Sequence, residues 1–363
     1  MEKKRLDYLD MTKGVGIFFV CLGHIEYISA PLRTWISSFH MPLFFIVTGL
    51  LMAIKDEPSR DFKTAVLKKF KGIIIPYLWF SLSYFIIDIF NVLVLKNIDI
   101  HTFIVDTISS ATFYGMSVLW FLPAIFLADI GFLWLKKHVP DRILVFALLV
   151  IAIVSYLIHR MFLPIYDAHA DSLFITSLIN FGRVFTRATV CMSFVGYGYY
   201  IHKAVVHFLP SFSGDLPAKH KIISFICGVC MLAVNIWLSM LNDCVDLHNI
   251  ILNNVALYFI GAFLGCFGII LILRAIPSCK IVTYYGRNSM IVMAAHVNYY
   301  ILYAGLRIGM KVIQYTTHAK QYILVGVTMI VVFLLCTIVI EGINRLFPFV
   351  LGKPFSLPWK SKN

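Results

Sequence analysis

The chain has 363 residues, 60% of them hydrophobic and only 13% charged, with a mean hydropathy of +0.86. Soluble domains carry about a quarter charged residues, so this composition excludes a soluble globular protein and implies one that lives in a membrane. The net charge of +13 would suggest nucleic acid in a soluble domain, but in a membrane protein basic cytoplasmic loops account for it, and no nucleic-acid partner is expected.

Apolar runs of 18 or more residues recur along the chain, each able to cross a hydrocarbon core of about 30 Å as a helix. They are too continuously apolar for barrel strands. The sequence therefore predicts an all-α, polytopic membrane protein with about ten transmembrane helices, at 14–31, 36–54, 73–95, 117–135, 143–159, 179–201, 221–241, 248–273, 285–306 and 321–344. With both termini in the cytoplasm, most of the 31 Lys and Arg residues fall in inner segments, as the positive-inside rule requires. The first run lacks a small-residue cleavage site and reads as a retained span rather than a signal peptide. A single transmembrane domain is expected over 1–347, with a short basic cytoplasmic tail over 348–363.

The first span carries Lys13 near its start and His24 eleven residues on. That separation is about three turns and 16 Å, which puts both on one helix face. Asp10, three residues before Lys13, reads as a structural acid, exposed at a helix start where it favours the macrodipole. Gly14, Gly16 and Gly23 allow close helix approach. His24 is either a neutral imidazole bonded to another helix or a functional group facing the bundle interior. Glu26 lies on the other side of the helix. His40 opens the second span after a short turn that could bring it level with His24; alone it would be an interfacial anchor.

The most charged segment follows, with Lys63, Lys68, Lys69 and Lys71 leading into the third span. Such a cluster is a topology signal or anionic-lipid contact, or else a site for a soluble polyanion. Trp120, opening the fourth span, is an interfacial belt residue or a stacking platform, and Asp129 lies deep with no evident partner. Asp167, His169 and Asp171 in the next outer loop make too small a set for a metal site. Arg183 and Arg187, at i, i+4 in the sixth span, need a cavity, a partner or an anionic ligand. His296 adds an imidazole in the ninth span. Glu341 and Arg345 suggest an ion pair near the end of the last span. Eight cysteines, including the Cys227/Cys230 pair, read as small packing residues, and no metal is expected.

Taken together, these segments resemble the acyltransferase-3 family of integral membrane O-acyltransferases, in particular its stand-alone sugar O-acetylase members. The stretch from Asp10-Met-Thr-Lys13 to Leu22-Gly23-His24 is similar to the family's first helix, with a basic residue ten positions before a histidine. Phe39-His40-Met41-Pro42-Leu43-Phe44-Phe45 is similar to its second. Leu119-Trp120-Phe121-Leu122-Pro123, then Tyr285-Gly286-Arg287-Asn288-Ser289 with His296, and finally Glu341 resemble later elements. The family often carries two arginines before its third helix; here the positions hold Lys68 and Lys71, which keep the charge but lose the bidentate fork. Many members also carry a fused soluble domain, and a chain ending at residue 363 without one is expected to act alone or with a separate partner.

The resemblance implies transfer of an acyl group, acetyl first, from acyl-CoA to a hydroxyl of a sugar or a cell-surface or lipid-linked glycan, with acetyl-CoA as co-substrate and no permanently bound cofactor. His24 would be the catalytic base, with His40 orienting it or binding the acceptor. Lys13, Lys68, Lys69, Lys71 and Trp120 would hold the CoA donor, and Arg183, Arg187 and His296 the acceptor or the oxyanion. An acyl-histidine intermediate and direct transfer both remain open. The expected partners are acyl-CoA, the glycan acceptor and membrane lipid, with a homodimer left open, and the expected location is a bacterial cytoplasmic membrane. The competing reading is a glycan or small-metabolite transporter whose buried His and Arg line a path. A weaker third reading is a sensory or scaffolding membrane protein.

Overall fold

The computed structural model describes residues 6–168, 173–208, 216–313 and 320–354. Among them the chain is predominantly helical, with no strand. The helices are α1 Asp7–Gly23, α2 Ala30–Ser37, α3 His40–Ile54, α4 Phe62–Lys69, α5 Ile75–Phe90, α6 Ile100–Ala111, α7 Phe121–His138 and α8 Asp141–Ala168. They continue as α9 Leu173–Phe208, α10 Ala218–Asn242, α11 Val255–Ala275, α12 Lys280–Arg287, α13 Ser289–Ala295, α14 Ile301–Ile313 and α15 Lys320–Leu346. A π turn, Phe70–Ile74, joins α4 to α5 without a break.

Among the described residues, seven helical stretches are long and apolar enough to cross a membrane: Ala30–Ile54, Phe62–Leu95, Ser117–His138, Asp141–Pro164, Ala218–Asn242, Val255–Ala275 and Lys320–Leu346. The other three expected runs differ in form. The first stops at Gly23, and after a short turn a new helix starts at Ala30 with Ser29 at its N-cap and Pro31 in its first turn, a position that proline favours. The sixth lies within α9, whose arginines and tyrosines lower its hydropathy. The ninth is cut into α12, α13 and α14. At its first break the Asn288 side chain donates to Tyr284 O at 2.9 Å, and at its second Tyr300 takes a φ of 57°.

The chain forms two compact units. The first comprises residues 1–51, 198–247 and 251–340; the second comprises 52–197, 248–250 and 341–363.

In the first unit, α1 and α12 lie almost in backbone contact. A Cβ at Gly14 would run into Val282 O, and one at Gly286 into Asp10 O. Glycine is required at both positions for this approach. A second fastening centres on Asn235, buried in α10. It accepts from Trp35 Nε1 at 2.8 Å and donates to Ser38 Oγ at 3.0 Å and Gly261 O at 2.9 Å. One amide thereby ties the α2–α3 turn, just before His40, to α10 and α11.

In the second unit, α8 and α9 are joined by buried hydroxyls: Ser155 Oγ lies 2.6 Å from Thr189 Oγ1, and Ser193 donates to Leu148 O at 2.8 Å. Gly115, with φ 85°, folds the loop before α7 so tightly that a Cβ there would strike the Trp120 backbone. Phe349, in the turn Pro348–Leu351, packs edge-on against Trp79 with ring centroids 5.1 Å apart. The rest of the expected basic tail, 355–363, lies outside the described residues.

Candidate active site

His24 is the residue at which α1 ends, its backbone N–H reaching Cys21 O and Leu22 O. Its ring Nδ1 lies 2.8 Å from Val20 O. A carbonyl oxygen can only accept, so these partners assign the hydrogen to Nδ1 and leave Nε2 with its lone pair. His40 has the same arrangement, with Nδ1 2.8 Å from Ile36 O. So does His296, with Nδ1 3.0 Å from Val292 O and 2.9 Å from Met293 O. The three imidazoles therefore share one tautomer.

The ring that meets His24 comes from the end of α13. His296 stands edge-on to it, with centroids 4.9 Å apart and planes at 76°, and its Nε2 lies 3.4 Å from His24 Nδ1. His40 is near enough to His24 for the two rings to interact electrostatically. Exposure separates them sharply: His296 is 0% exposed, His40 is intermediate, and His24 is exposed. Arg33 steadies the turn that follows His24, donating through Nη2 to Ile25 O at 3.0 Å and Glu26 O at 3.1 Å.

At the other end of α1, buried Asp10 receives two cations, Lys13 Nζ at 2.7 Å and Arg287 Nε at 3.1 Å. Arg287 also reaches Asp7 through Nη2 at 3.2 Å. Arg287 follows Gly286, the residue that lets α12 touch α1, so the glycine contact and the ion cluster form together. Arg287 ends α12 and His296 follows at the end of α13, so on each side of the contact a basic residue is followed about ten positions on by one of the two imidazoles that meet.

The second unit holds two further polar centres. Arg187, 1% exposed, donates through Nη1 to Tyr114 O at 2.9 Å and through Nη2 to His248 O at 2.8 Å. Its guanidinium lies 4.9 Å from the ring centres of both Tyr114 and Trp120, and Trp120 stacks on His248 at 5.3 Å and 7°. Arg183 stands 6.0 Å from the Tyr114 ring. The second centre answers what Asp129 pairs with: Lys69 Nζ, at 2.8 Å, which also meets Glu57 at 3.2 Å, while Lys68 lies 3.4 Å from the same Glu57. Burial opposes charging of Glu57, but the neighbouring Lys69, with Lys68 and Lys55, outweighs it and holds the carboxyl below its ordinary value. Lys71 is exposed on the π turn. Glu341 pairs with Arg345 at 2.8 Å, as the i, i+4 spacing suggests.

Sequence reasoning singled out His24, His40, His296, Lys13, Asp10, Trp120 and Arg187, but not the pairing of His24 with His296 or the parts of Arg287, Tyr114, His248 and Glu57. None of those contacts has a signal in sequence spacing. Among the described residues no three His, Cys, Asp or Glu side chains gather as metal ligands; His169 and Asp171 lie outside the described residues. Cys227 and Cys230 are exposed on α10 rather than packed inside.

The family model described as an acyltransferase domain matches residues 6–342. Comparison with curated proteins and with solved structures gave no match. A family match over nearly the whole chain, on a helical protein with seven membrane-length helices, places the protein in the acyltransferase-3 family, as a multi-pass membrane acyltransferase.

Proposed function

We propose that the protein transfers an acyl group, acetyl first, from acyl-CoA to a hydroxyl of a sugar or lipid-linked glycan in a bacterial cytoplasmic membrane, with N- and C-termini inside. The observation that carries this reading is His24 itself. Its Nδ1 is occupied by Val20 O, so Nε2, on the opposite edge of an exposed ring, is the nitrogen available as a base. Nε2 takes the acceptor hydroxyl proton as the oxygen attacks the thioester carbonyl. The tetrahedral oxyanion then collapses, the C–S bond breaks, and the CoA thiolate recovers the proton from Nε2.

CoA supplies a reason for Lys13 on the same helix. The donor's phosphates and its thioester lie at opposite ends of a flexible arm, and Lys13 stands about 16 Å along the helix from His24. Lys13 and Arg287, gathered on Asp10, are suited to a phosphate at that end. The reading also gives Lys68 and Lys71, both exposed, a role in holding donor phosphates, while Lys69, tied to Glu57 and Asp129, keeps that segment of helix in place. Trp120 and Arg183 are assigned to the donor arm or the acceptor and His40 to orienting the acceptor, while Arg187, whose two ends are taken by the Tyr114 and His248 carbonyls, holds those loops in place.

Thermal unfolding of the detergent-purified protein with acetyl-CoA, with CoA and with neither tests the donor. A ligand bound only by the folded state stabilises it by about 2.7 kcal/mol at a hundredfold excess over its dissociation constant. The melting temperature should rise with acetyl-CoA, and Lys68→Ala/Lys71→Ala and Lys13→Ala should each reduce the rise. No rise at millimolar acetyl-CoA would overturn the choice of donor.

A further inference from the structure

We propose that His296 is a positioning residue for His24, holding it in the tautomer whose Nε2 is the base. The kinetic consequence rests on the acyl-transfer reading above; the tautomer rests on geometry alone.

His296 has one ring hydrogen when neutral, and the carbonyls of Val292 and Met293, at 3.0 and 2.9 Å from Nδ1, claim it. Its Nε2 is therefore an acceptor. The group it faces is His24 Nδ1, at 3.4 Å, whose hydrogen is shared with Val20 O at 2.8 Å. Reversing either ring breaks the set. With the hydrogen of His24 on Nε2, its Nδ1 lone pair would face both the Val20 carbonyl and the lone pair of His296. With the hydrogen of His296 on Nε2, its Nδ1 lone pair would face two carbonyl oxygens. Unmatched buried acceptors of this kind are costly, so one arrangement satisfies every atom: the Val292 and Met293 carbonyls hold His296, and His296 with Val20 holds His24.

Burial separates the two roles. His296 is 0% exposed and its one unclaimed nitrogen points at His24, so it cannot meet a substrate hydroxyl; His24 is exposed and can. When His24 takes a proton on Nε2, its Nδ1–H becomes a charged donor and its bonds to Val20 O and His296 strengthen. A base oriented by a third group is the arrangement general-base catalysis relies on. The scaffold keeps the two rings in register, because each ends a helix, His24 at α1 and His296 at α13. Gly14 and Gly286 hold α1 against α12, the element just before α13.

The test combines histidine nitrogen NMR of the detergent-solubilised full chain with steady-state turnover of radiolabelled acetyl-CoA on a membrane glycolipid extract. His24 resonances are assigned by their loss in His24→Gln. The wild type should show His24 only as the Nδ1–H form. His296→Ala leaves Val20 O as the one group holding the hydrogen on Nδ1, so it should let a fraction of the other tautomer appear and lower kcat roughly 10-fold, by analogy with the loss of partners that orient metal-bound histidines, with KM for acetyl-CoA within about twofold. His296→Gln, whose side-chain oxygen also accepts, should restore the single tautomer and most of the rate. An Nε2–H form for His24 in the wild type, or wild-type kcat in His296→Ala, would overturn the inference. If no variant and no wild-type sample turns over acetyl-CoA, the donor reading falls while the nitrogen spectra still decide the positioning.

Discussion

The turn at the end of α1 and the arginine clamp of α9 carry the same sequence signal, an ionisable side chain within an apolar helix, and have opposite chemistry. At His24 the partners occupy one ring nitrogen and leave the other on an exposed ring. At Arg187 two backbone carbonyls take the ends of the guanidinium and two aromatic rings lie within 4.9 Å of it. The difference is which atoms the fold has already used. Ionisable residues inside a membrane mark function by default, but the default splits into groups that react and groups that hold loops in place, and only the partner list separates them.

The sharpest way to break this comparison is His24→Ala. Loss of a general base costs about 10²- to 10⁴-fold in rate, and acetyl transfer measured with radiolabelled acetyl-CoA should fall by that much while the melting temperature stays close to wild type. A folded variant with intact transfer would sink the assignment. Arg187→Lys should behave in the reverse way. One ammonium cannot span the Tyr114 and His248 carbonyls, and hydrogen bonds to a charged group contribute about 1.5–3 kcal/mol each, so stability should drop by roughly 3 kcal/mol. If Arg187→Lys instead unfolds like wild type but loses turnover, Arg187 belongs with the chemistry after all.

Asp129→Ala sharpens the same contrast inside the second unit. It strips Lys69 of its 2.8 Å partner, and breaking a buried pair from one side costs about 3 kcal/mol, whereas replacing both with apolar residues of like volume is often neutral. Lys69→Met/Asp129→Leu should therefore recover much of the loss seen in denaturant titration. The smallest effect is expected at Glu57. Its carboxyl is held below the ordinary value of 4.5, so its contribution is complete above that pH and disappears as the pH falls through the lower folded value. Glu57→Gln should flatten that acid-side loss in melting temperature and cost about 1 kcal/mol at neutral pH. An unchanged acid profile would mean that Glu57 stabilises nothing by its charge.

Much of this was legible beforehand because it depends on local periodicity and burial. Runs of apolar residues specify helices in any membrane, the Lys13 to His24 spacing follows from 3.6 residues per turn, and Glu341 and Arg345 pair as neighbours on one helix face. The ends of elements were less accessible. Nothing in the apolar run after His24 marks the stop at Gly23 or the new start at Ala30, and the breaks at Asn288 and Tyr300 depend on side-chain bonds and backbone angles that hydropathy does not register.

By itself, then, the sequence determined that the chain is a bundle of membrane helices, that Lys13 and His24 share a face, and which family it belongs to. The tertiary structure alone decided that His24 meets His296, that Arg287 joins Lys13 on Asp10, and that Lys69 sits between Glu57 and Asp129. Those pairs lie up to 277 positions apart in the chain. They come together through close contacts such as that of Gly286 with Asp10, and no one-dimensional pattern encodes such a contact, because either glycine alone is only a small residue in a helix.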